Sequence, residues 1–200
     1  MGRRHVLHHY RPGEAVIGRL VSAALGKFTD WALSKNPPGT YAGEDDKRWA
    51  YTIETAGDPY LTRVLLSRVL GLRDLLGLGV YLHRFHRPDA DRWPHSHPWT
   101  WGFSIILRGS YDEERVEYVP TGRVGNLIGL KVLMTTRRVR FLNFLTRDDY
   151  HSVTKLHGDV STLFVTGPRL PDDEWGFLVD GEHVPWRDYF KQRLNKKDGE

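Results

Sequence analysis

The feature that most constrains this chain is a His-Xaa-His pair within an apolar, tryptophan-rich stretch. His95 and His97 are separated by one residue between Trp93 and Tyr111. In a strand, side chains two positions apart share a face, whereas a helix would separate them by about 200°. A chance surface pair is the alternative, but unpartnered buried imidazoles would be costly in such a stretch. The pair therefore predicts half of a metal site on a β-strand that enters a hairpin.

The residues after the pair predict that hairpin. Trp99 to Leu107 is rich in aromatic and β-branched side chains, which favour a strand. Arg108-Gly109-Ser110 predicts a tight turn into a second strand from Tyr111 to Val119. A similar turn is predicted at His157-Gly158-Asp159, between two strongly alternating segments.

The pattern along the chain predicts an all-β barrel preceded by a helix. Apolar side chains recur at helical spacing from Glu14 to Lys35, which indicates an amphipathic helix that packs on its own barrel. Short strands joined by Gly, Asp and Pro turns then favour a jelly roll. We expect a basic arm and helix over 1–40, a barrel over 41–195 and a tail over 196–200. The expected apolar face of the helix is Ile17, Leu20, Val21, Ala24, Phe28, Trp31 and Ala32, and the further strands are expected over 49–53, 60–67, 80–87, 127–135, 139–145, 150–156, 160–166 and 174–179.

Composition narrows the classes of function. The chain has 200 residues, 40% of them hydrophobic, which suits a globular domain. It has no cysteine, so a metal would be held by nitrogen and oxygen donors, and a cytoplasmic location is expected. Its net charge is +4, but the arginines are scattered along the chain, so nucleic-acid binding is not expected. Binding of an anionic small molecule would account for the positive charge equally well. No apolar run approaches the ~20 residues of a membrane span, and no signal peptide is recognised.

The predicted third metal ligand is His151. It opens an alternating strand after an Asp-rich turn, and a jelly roll returns the chain to the same pocket wall after two further hairpins. Three imidazoles would leave open positions on a divalent ion for substrate and for water or O₂.

These motifs resemble the cupin superfamily. Its first motif runs His-Xaa-His, then Glu, then Gly; His95, His97 and Gly109 fit this spacing, with Gly102 in the place of the Glu. Its second motif centres on a His after a turn, matched by His151. A narrower group of poorly characterised cupin-domain proteins of bacteria and phages is similar over about residues 58–190. That likeness covers 59–63, 83–89, 95–99, 162–168, 175–177 and 184–187.

The resemblance implies a cupin-type double-stranded β-helix and leans toward three-His cupins, which include thiol dioxygenases that use Fe(II). It also implies a homodimer. Glu113 or Glu114 could replace the missing Glu, although exposure is expected for both, and Asp148 or Asp149 could accept a hydrogen bond from His151.

Several further residues are candidates for the reaction. Arg84 and Arg87 could hold a substrate carboxylate or phosphate, and Trp99 could line the pocket. Tyr150 and Tyr111 could supply a phenol for proton transfer. We expect a non-haem Fe(II) oxygenase acting on a small molecule. Alternatives are a Zn- or Mn-dependent isomerase, decarboxylase or hydrolase (Ni is also possible), and a non-catalytic barrel that binds a small ligand.

Overall fold

The computed structural model of the chain describes residues 12–35, 48–55, 58–69, 77–91, 93–124, 127–169 and 175–197. Residues 1–11, which make up most of the predicted basic arm, lie outside these residues, and so does the segment 70–76. The elements are α1 (Pro12–Ser34), β1 (Ala50–Thr55), β2 (Asp58–Leu65), α2 (Leu66–Val69), β3 (Gly79–Phe85), β4 (Trp101–Val124), β5 (Leu127–Val139), β6 (Leu142–Thr146), β7 (His151–Thr166), β8 (Gly176–Val179), β9 (Glu182–Pro185) and α3 (Trp186–Lys197).

A single antiparallel sheet of seven strands forms the body of the protein. Its order is β1-β2-β3-β7-β4-β5, and β6 pairs with the first part of β4. Six of the seven strands, β1, β2, β3, β4, β6 and β7, contribute side chains to one shared cavity, so the sheet curls into a barrel. The predicted all-β barrel with an N-terminal helix is confirmed.

The two predicted turns at Gly109 and at His157-Gly158-Asp159 are wrong, because both segments continue as bent strands. β4 and β7 pair along both of their halves, and the register shifts between Ile106 and Ser110. Gly109 and Gly158 have φ angles of 70° and 77°. Glycine adopts a positive φ in β-bulges as well as in hairpin turns, and here the two glycines lie where two long paired strands bend. The bend lets the same two strands line two walls of the barrel.

Side-chain alternation separates the inside of the barrel from a face covered by α1. In β2, Leu61, Arg63 and Leu65 line the cavity, whereas Val64 points to the other face. There Val64 packs with Ala32 of α1, and both side chains are fully buried.

The buried face of α1 is rotated from the predicted one. Leu25, Phe28 and Leu33 join Ala32 in the contact with the sheet. Leu20 and Trp31, which were predicted on the buried face, are 65% and 51% exposed. Helical spacing alone cannot tell which edge of a broad apolar stripe contacts the sheet.

The C-terminal hairpin closes one end of the cavity. β8 and β9 are joined by a hairpin turn at Asp180 and Gly181, both at positive φ. Phe177 of β8 stacks on Tyr189 of α3 at 3.9 Å between ring centroids. Within the described residues, no helix is long and apolar enough to cross a membrane.

Candidate metal centre

The predicted histidine strand is wrong as a regular strand, but the backbone there is still extended and paired. The described residues between 86 and 100 form single bridges but no strand of the sheet, and β4 begins only at Trp101. His95 pairs with His151 through two backbone hydrogen bonds, N–H of His95 to the carbonyl of His151 at 2.9 Å and the reverse at 3.0 Å. Paired antiparallel residues present their side chains on the same face, so both imidazoles enter the cavity.

Ser96 holds the histidine segment from the opposite side. Its N–H donates to the Gly176 carbonyl at 2.9 Å, and its hydroxyl accepts from the Gly176 N–H at 3.1 Å. Because Ser96 points toward β8, its neighbours His95 and His97 both point toward the cavity. The one-residue spacing therefore acts as predicted, although the segment is no regular strand.

Three imidazoles meet at this point of the cavity wall. The ring centroids of His95, His97 and His151 lie 5.0–5.1 Å from one another. Nε2 of His97 lies 2.8 Å from Nε2 of His151, and one nitrogen from each of the three rings falls within 4.8 Å of the others. The structure thus brings together all three predicted ligands.

The imidazoles of His95 and His97 are neutral at pH 7. Burial is the largest cause, and it lowers the pKa of His95 to about 4 and that of His97 well below 6.5. For His95 the charge of Asp89 opposes this shift in part, whereas His151 and Arg63 lower the pKa values of both histidines further. Neutral imidazole nitrogens carry the lone pairs that a divalent ion requires.

Glu113 orients the third histidine. Its side chain has no exposed surface, and Oε1 lies 2.8 Å from Nδ1 of His151. A carboxylate at Nδ1 keeps the proton there and leaves the Nε2 lone pair toward His97. The expectation that Glu113 is exposed is therefore wrong. The expected role of Asp149 as hydrogen-bond acceptor for His151 is wrong as well, because the Asp149 carboxylate accepts hydrogen bonds from Thr146. Asp148 is exposed at the same turn.

A buried network holds the Glu113 carboxylate ionised. Asn143 donates to Oε1 at 2.7 Å, and Arg137 donates from Nε to Oε2 at 2.8 Å. Burial raises the pKa of Glu113, but the hydrogen bonds from His151 and Asn143 and the charge of Arg115 outweigh it and lower the pKa to about 2. The sequence named Glu113 only as a possible replacement for the missing Glu and left it exposed, although its alternation with the inward-facing Tyr111 was a usable signal for burial.

The cavity beside the histidines has a volume of about 410 Å³ and a largely aromatic wall. Trp99, the predicted pocket residue, stacks on His97 with ring centroids 4.5 Å apart and planes 23° from parallel. The other aromatic side chains of the wall are Tyr51, Tyr60, Tyr81, Phe85, Tyr111, Phe164, Trp175, Phe177 and Phe190.

The two predicted catalytic tyrosines occupy different places. Tyr111 is buried in the cavity wall, and its hydroxyl accepts a hydrogen bond from Asn143 at 3.0 Å. Tyr150 is not part of the wall; its hydroxyl lies 2.6 Å from Nδ1 of His183. The structure therefore places Tyr111 in the wall of the cavity that the three histidines also line, and Tyr150 outside that wall.

The predicted substrate-binding arginines also lie outside the cavity lining. Arg84 is on the α1-facing side of β3, where its guanidinium lies 3.8 Å from the Asp30 carboxylate. Arg87 follows the end of β3 and does not line the cavity either. The lining arginines are Arg63 and Arg169. Arg63, flanked on its face by Leu61 and Leu65, was detectable in the sequence as one charge in an otherwise apolar inward row.

The donor set fits a divalent transition-metal ion. Three imidazoles suit Fe, Zn, Cu or Ni, and the carboxylate behind His151 is the outer contact that ligating histidines use. Within the described residues no fourth His, Asp or Glu joins this group, so a bound ion would keep positions open toward the cavity.

No protein-family model and no curated protein matches this chain. Among solved structures, a vicilin from Capsicum annuum is 13% identical with a TM-score of 0.45, covering 88% of this chain and 45% of its own. The Fe(II) form of HppE is 12% identical with a TM-score of 0.36, covering 65% and 62% of the two chains. Hydroquinone 1,2-dioxygenase PnpCD, in complex with Cd²⁺ and 4-hydroxybenzonitrile, is 15% identical with a TM-score of 0.32, covering 48% and 60%. This chain thus spans less than two thirds of each of these proteins, and the description of its fold rests on its own strand pairing.

Proposed function

We propose that this chain is a metal-dependent enzyme that binds a divalent ion through His95, His97 and His151 and acts on a small molecule in the adjoining cavity. Fe(II) is the favoured ion and oxygenation the favoured reaction. The observation that carries the proposal is the convergence of three imidazoles, one of them backed by a buried carboxylate, at the wall of one cavity.

A bound Fe(II) would supply open positions for O₂ and for a chelating substrate, whereas Zn²⁺ or Mn²⁺ would supply Lewis-acid chemistry. The chain's own residues would prepare the site. Glu113 keeps the proton of His151 on Nδ1. Trp99 restricts the ring of His97 by stacking on it, and the aromatic wall excludes water from the substrate.

Tyr111 is the proposed hydrogen-bond donor that orients the substrate. Burial, together with the charge of Glu113, raises the pKa of its phenol to about 12, so it keeps its proton at neutral pH. Because Asn143 donates to the phenol oxygen, that proton can be directed elsewhere. A proton-transfer role for Tyr150 and substrate-binding roles for Arg84 and Arg87 stay predictions, as does a homodimer.

The test is the metal content of untagged protein by elemental analysis, compared with a His95→Ala/His151→Ala double variant. Iron near one equivalent that is lost in the variant supports the Fe(II) proposal. Zinc, manganese or nickel lost in the same way supports the site and favours Lewis-acid chemistry. No metal in the wild-type protein, even after anaerobic reconstitution, overturns the enzyme proposal and leaves a barrel that binds a small ligand.

A matched control separates this site from adventitious binding. The N-terminal segment carries His5, His8 and His9, which lie outside the described residues. Replacing these three histidines with alanine is expected to leave the metal content unchanged. Metal that is lost in this variant but retained in His95→Ala/His151→Ala contradicts the proposed site.

A further inference from the structure

A row of three polar side chains crosses the cavity wall away from the three histidines. Arg63 of β2 pairs in register with His83 of β3, and His83 pairs in register with Thr162 of β7. All three line the cavity. Side chains of directly opposed residues on neighbouring strands lie about 5 Å apart, so the row forms one continuous polar strip.

Each member of the row has a buried polar atom that makes no hydrogen bond within the described part of the chain. These atoms are Nε of Arg63, Nε2 of His83 and the hydroxyl oxygen of Thr162. The side chains of His83 and Thr162 are only 5% and 1% exposed. Leaving such a group unsatisfied costs about 1–3 kcal/mol, and three adjacent ones facing a cavity indicate a ligand that completes them.

The surroundings of Arg63 favour an anion over a neutral ligand. Its neighbours include phenols: Tyr51 accepts a hydrogen bond from it, and its guanidinium carbon lies 5.9 Å from the ring centroid of Tyr81. The nearby Asp89 carboxylate is committed, since it accepts from the Tyr60 hydroxyl and from the Val153 N–H. A guanidinium in a buried site whose neighbours are uncharged phenols can form an ion pair with an anionic ligand.

The row and the metal centre face the same space. The ring of His83 lies 5.2 Å from that of Phe164, Phe164 lies 5.2 Å from Trp99, and Trp99 stacks on His97. One molecule can therefore contact both sites across an aromatic surface.

We propose that Arg63, His83 and Thr162 form a subsite for the carboxylate of a small aromatic monocarboxylate whose other end faces the metal centre; as a statement about substrate class, this rests on the proposed function. The row offers one full positive charge with a neutral imidazole and a hydroxyl, which matches a single negative charge. A phosphate would bring more charge than the row can balance.

The experiment is calorimetric titration of benzoate into metal-free, chelator-treated protein, with benzamide as the neutral probe of the same shape. We expect benzoate to bind and benzamide to bind about 10- to 100-fold more weakly, because only benzoate pairs with the guanidinium. Equal affinities of the two probes would overturn the proposal without any variant. Displacement of benzoate by equal concentrations of inorganic phosphate would overturn the choice of a carboxylate.

Variants assign the binding to the row. Arg63→Gln is expected to weaken benzoate binding about 10- to 100-fold, and the nearly isosteric Thr162→Val about three- to tenfold. Arg108→Gln is the matched control, since Arg108 is an exposed arginine paired with Asp159, and it should bind as the wild type does. Wild-type affinity in both Arg63→Gln and Thr162→Val would sink the assignment.

The proposed subsite and the proposed metal centre are tested independently of each other. Benzoate binding that depends on Arg63 and persists in His95→Ala/His151→Ala supports the subsite, even if elemental analysis finds no metal. Metal bound at the histidines together with benzoate binding that is indifferent to Arg63 overturns the subsite and leaves the metal centre intact.

Discussion

His95 and His151 exchange both backbone hydrogen bonds, at 2.9 and 3.0 Å, as a paired position in an antiparallel ladder. Two proposed metal ligands, distant in sequence, are thus held by main-chain contacts as well as by any ion. Since His97 is fixed by the same segment through Ser96, the site is organised by the barrel before a metal binds.

Removing the charge of Glu113 should weaken metal binding without unfolding the barrel. Glu113→Gln keeps the size of the side chain but loses the carboxylate that holds the proton of His151 on Nδ1. We expect Zn²⁺ affinity, measured by competition with a chromophoric chelator, to fall about 10- to 100-fold. Glu117→Gln, at an exposed position of β4, is the control and should bind as the wild type does. Unchanged affinity in Glu113→Gln would remove this carboxylate from the site.

The Asp112 ion pairs should stabilise the fold in a defined pH range. Hydrogen bonds from Arg138 and His157 lower the pKa of Asp112 from 3.8 to about 2. A carboxyl with a depressed pKa contributes stability that is fully present above its unfolded value and is lost as the pH falls through its folded value. Asp112→Asn should therefore be less stable than the wild type at pH 5, and the difference should shrink between pH 4 and pH 2. Urea unfolding at several pH values measures it; a difference that grows on acidification would contradict the assignment.

The bend at Gly109 should not tolerate a side chain. Its φ is +70°, and an added Cβ would lie 2.5 Å from the carbonyl oxygen of Asp159. We expect Gly109→Ala to lower the free energy of unfolding by about 2–4 kcal/mol, from backbone strain together with this clash. Gly158 has φ +77° with open space around its Cβ position. Gly158→Ala should therefore cost only the strain, about 1–2 kcal/mol, and equal losses in chemical denaturation would refute the steric part of the argument.

The contact of α1 with the barrel can be tested with two acidic substitutions. Ala32 is fully buried against Val64, so Ala32→Glu would bury a charge or displace the helix. A loss of about 2–4 kcal/mol is expected by thermal or denaturant unfolding. Leu20 is 65% exposed, and Leu20→Glu should change stability by no more than about 0.5 kcal/mol. The opposite order would mean that α1 contacts the barrel through Leu20 and not through Ala32.

Local pattern alone was enough to predict much of the site. The spacing of His95 and His97, the extended segment that carries them, and the return of His151 to the same wall all followed from side-chain alternation and from the resemblance. The alternation of β3, with Tyr81, His83 and Phe85 on one face, was equally readable and is the arrangement found. Such features depend only on neighbours in the sequence.

Tertiary structure decided what the pattern left open. Glycines at Gly109 and Gly158 are compatible with hairpin turns or with bulges, and only the pairing of β4 with β7 along both halves selects the bulge. Alternation assigns residues to two faces but does not say which face is inside. Arg63 and Glu113 are therefore found inside only once the barrel has closed, where distant partners, Tyr51 for Arg63 and Asn143 for Glu113, make the burial of a charge tolerable.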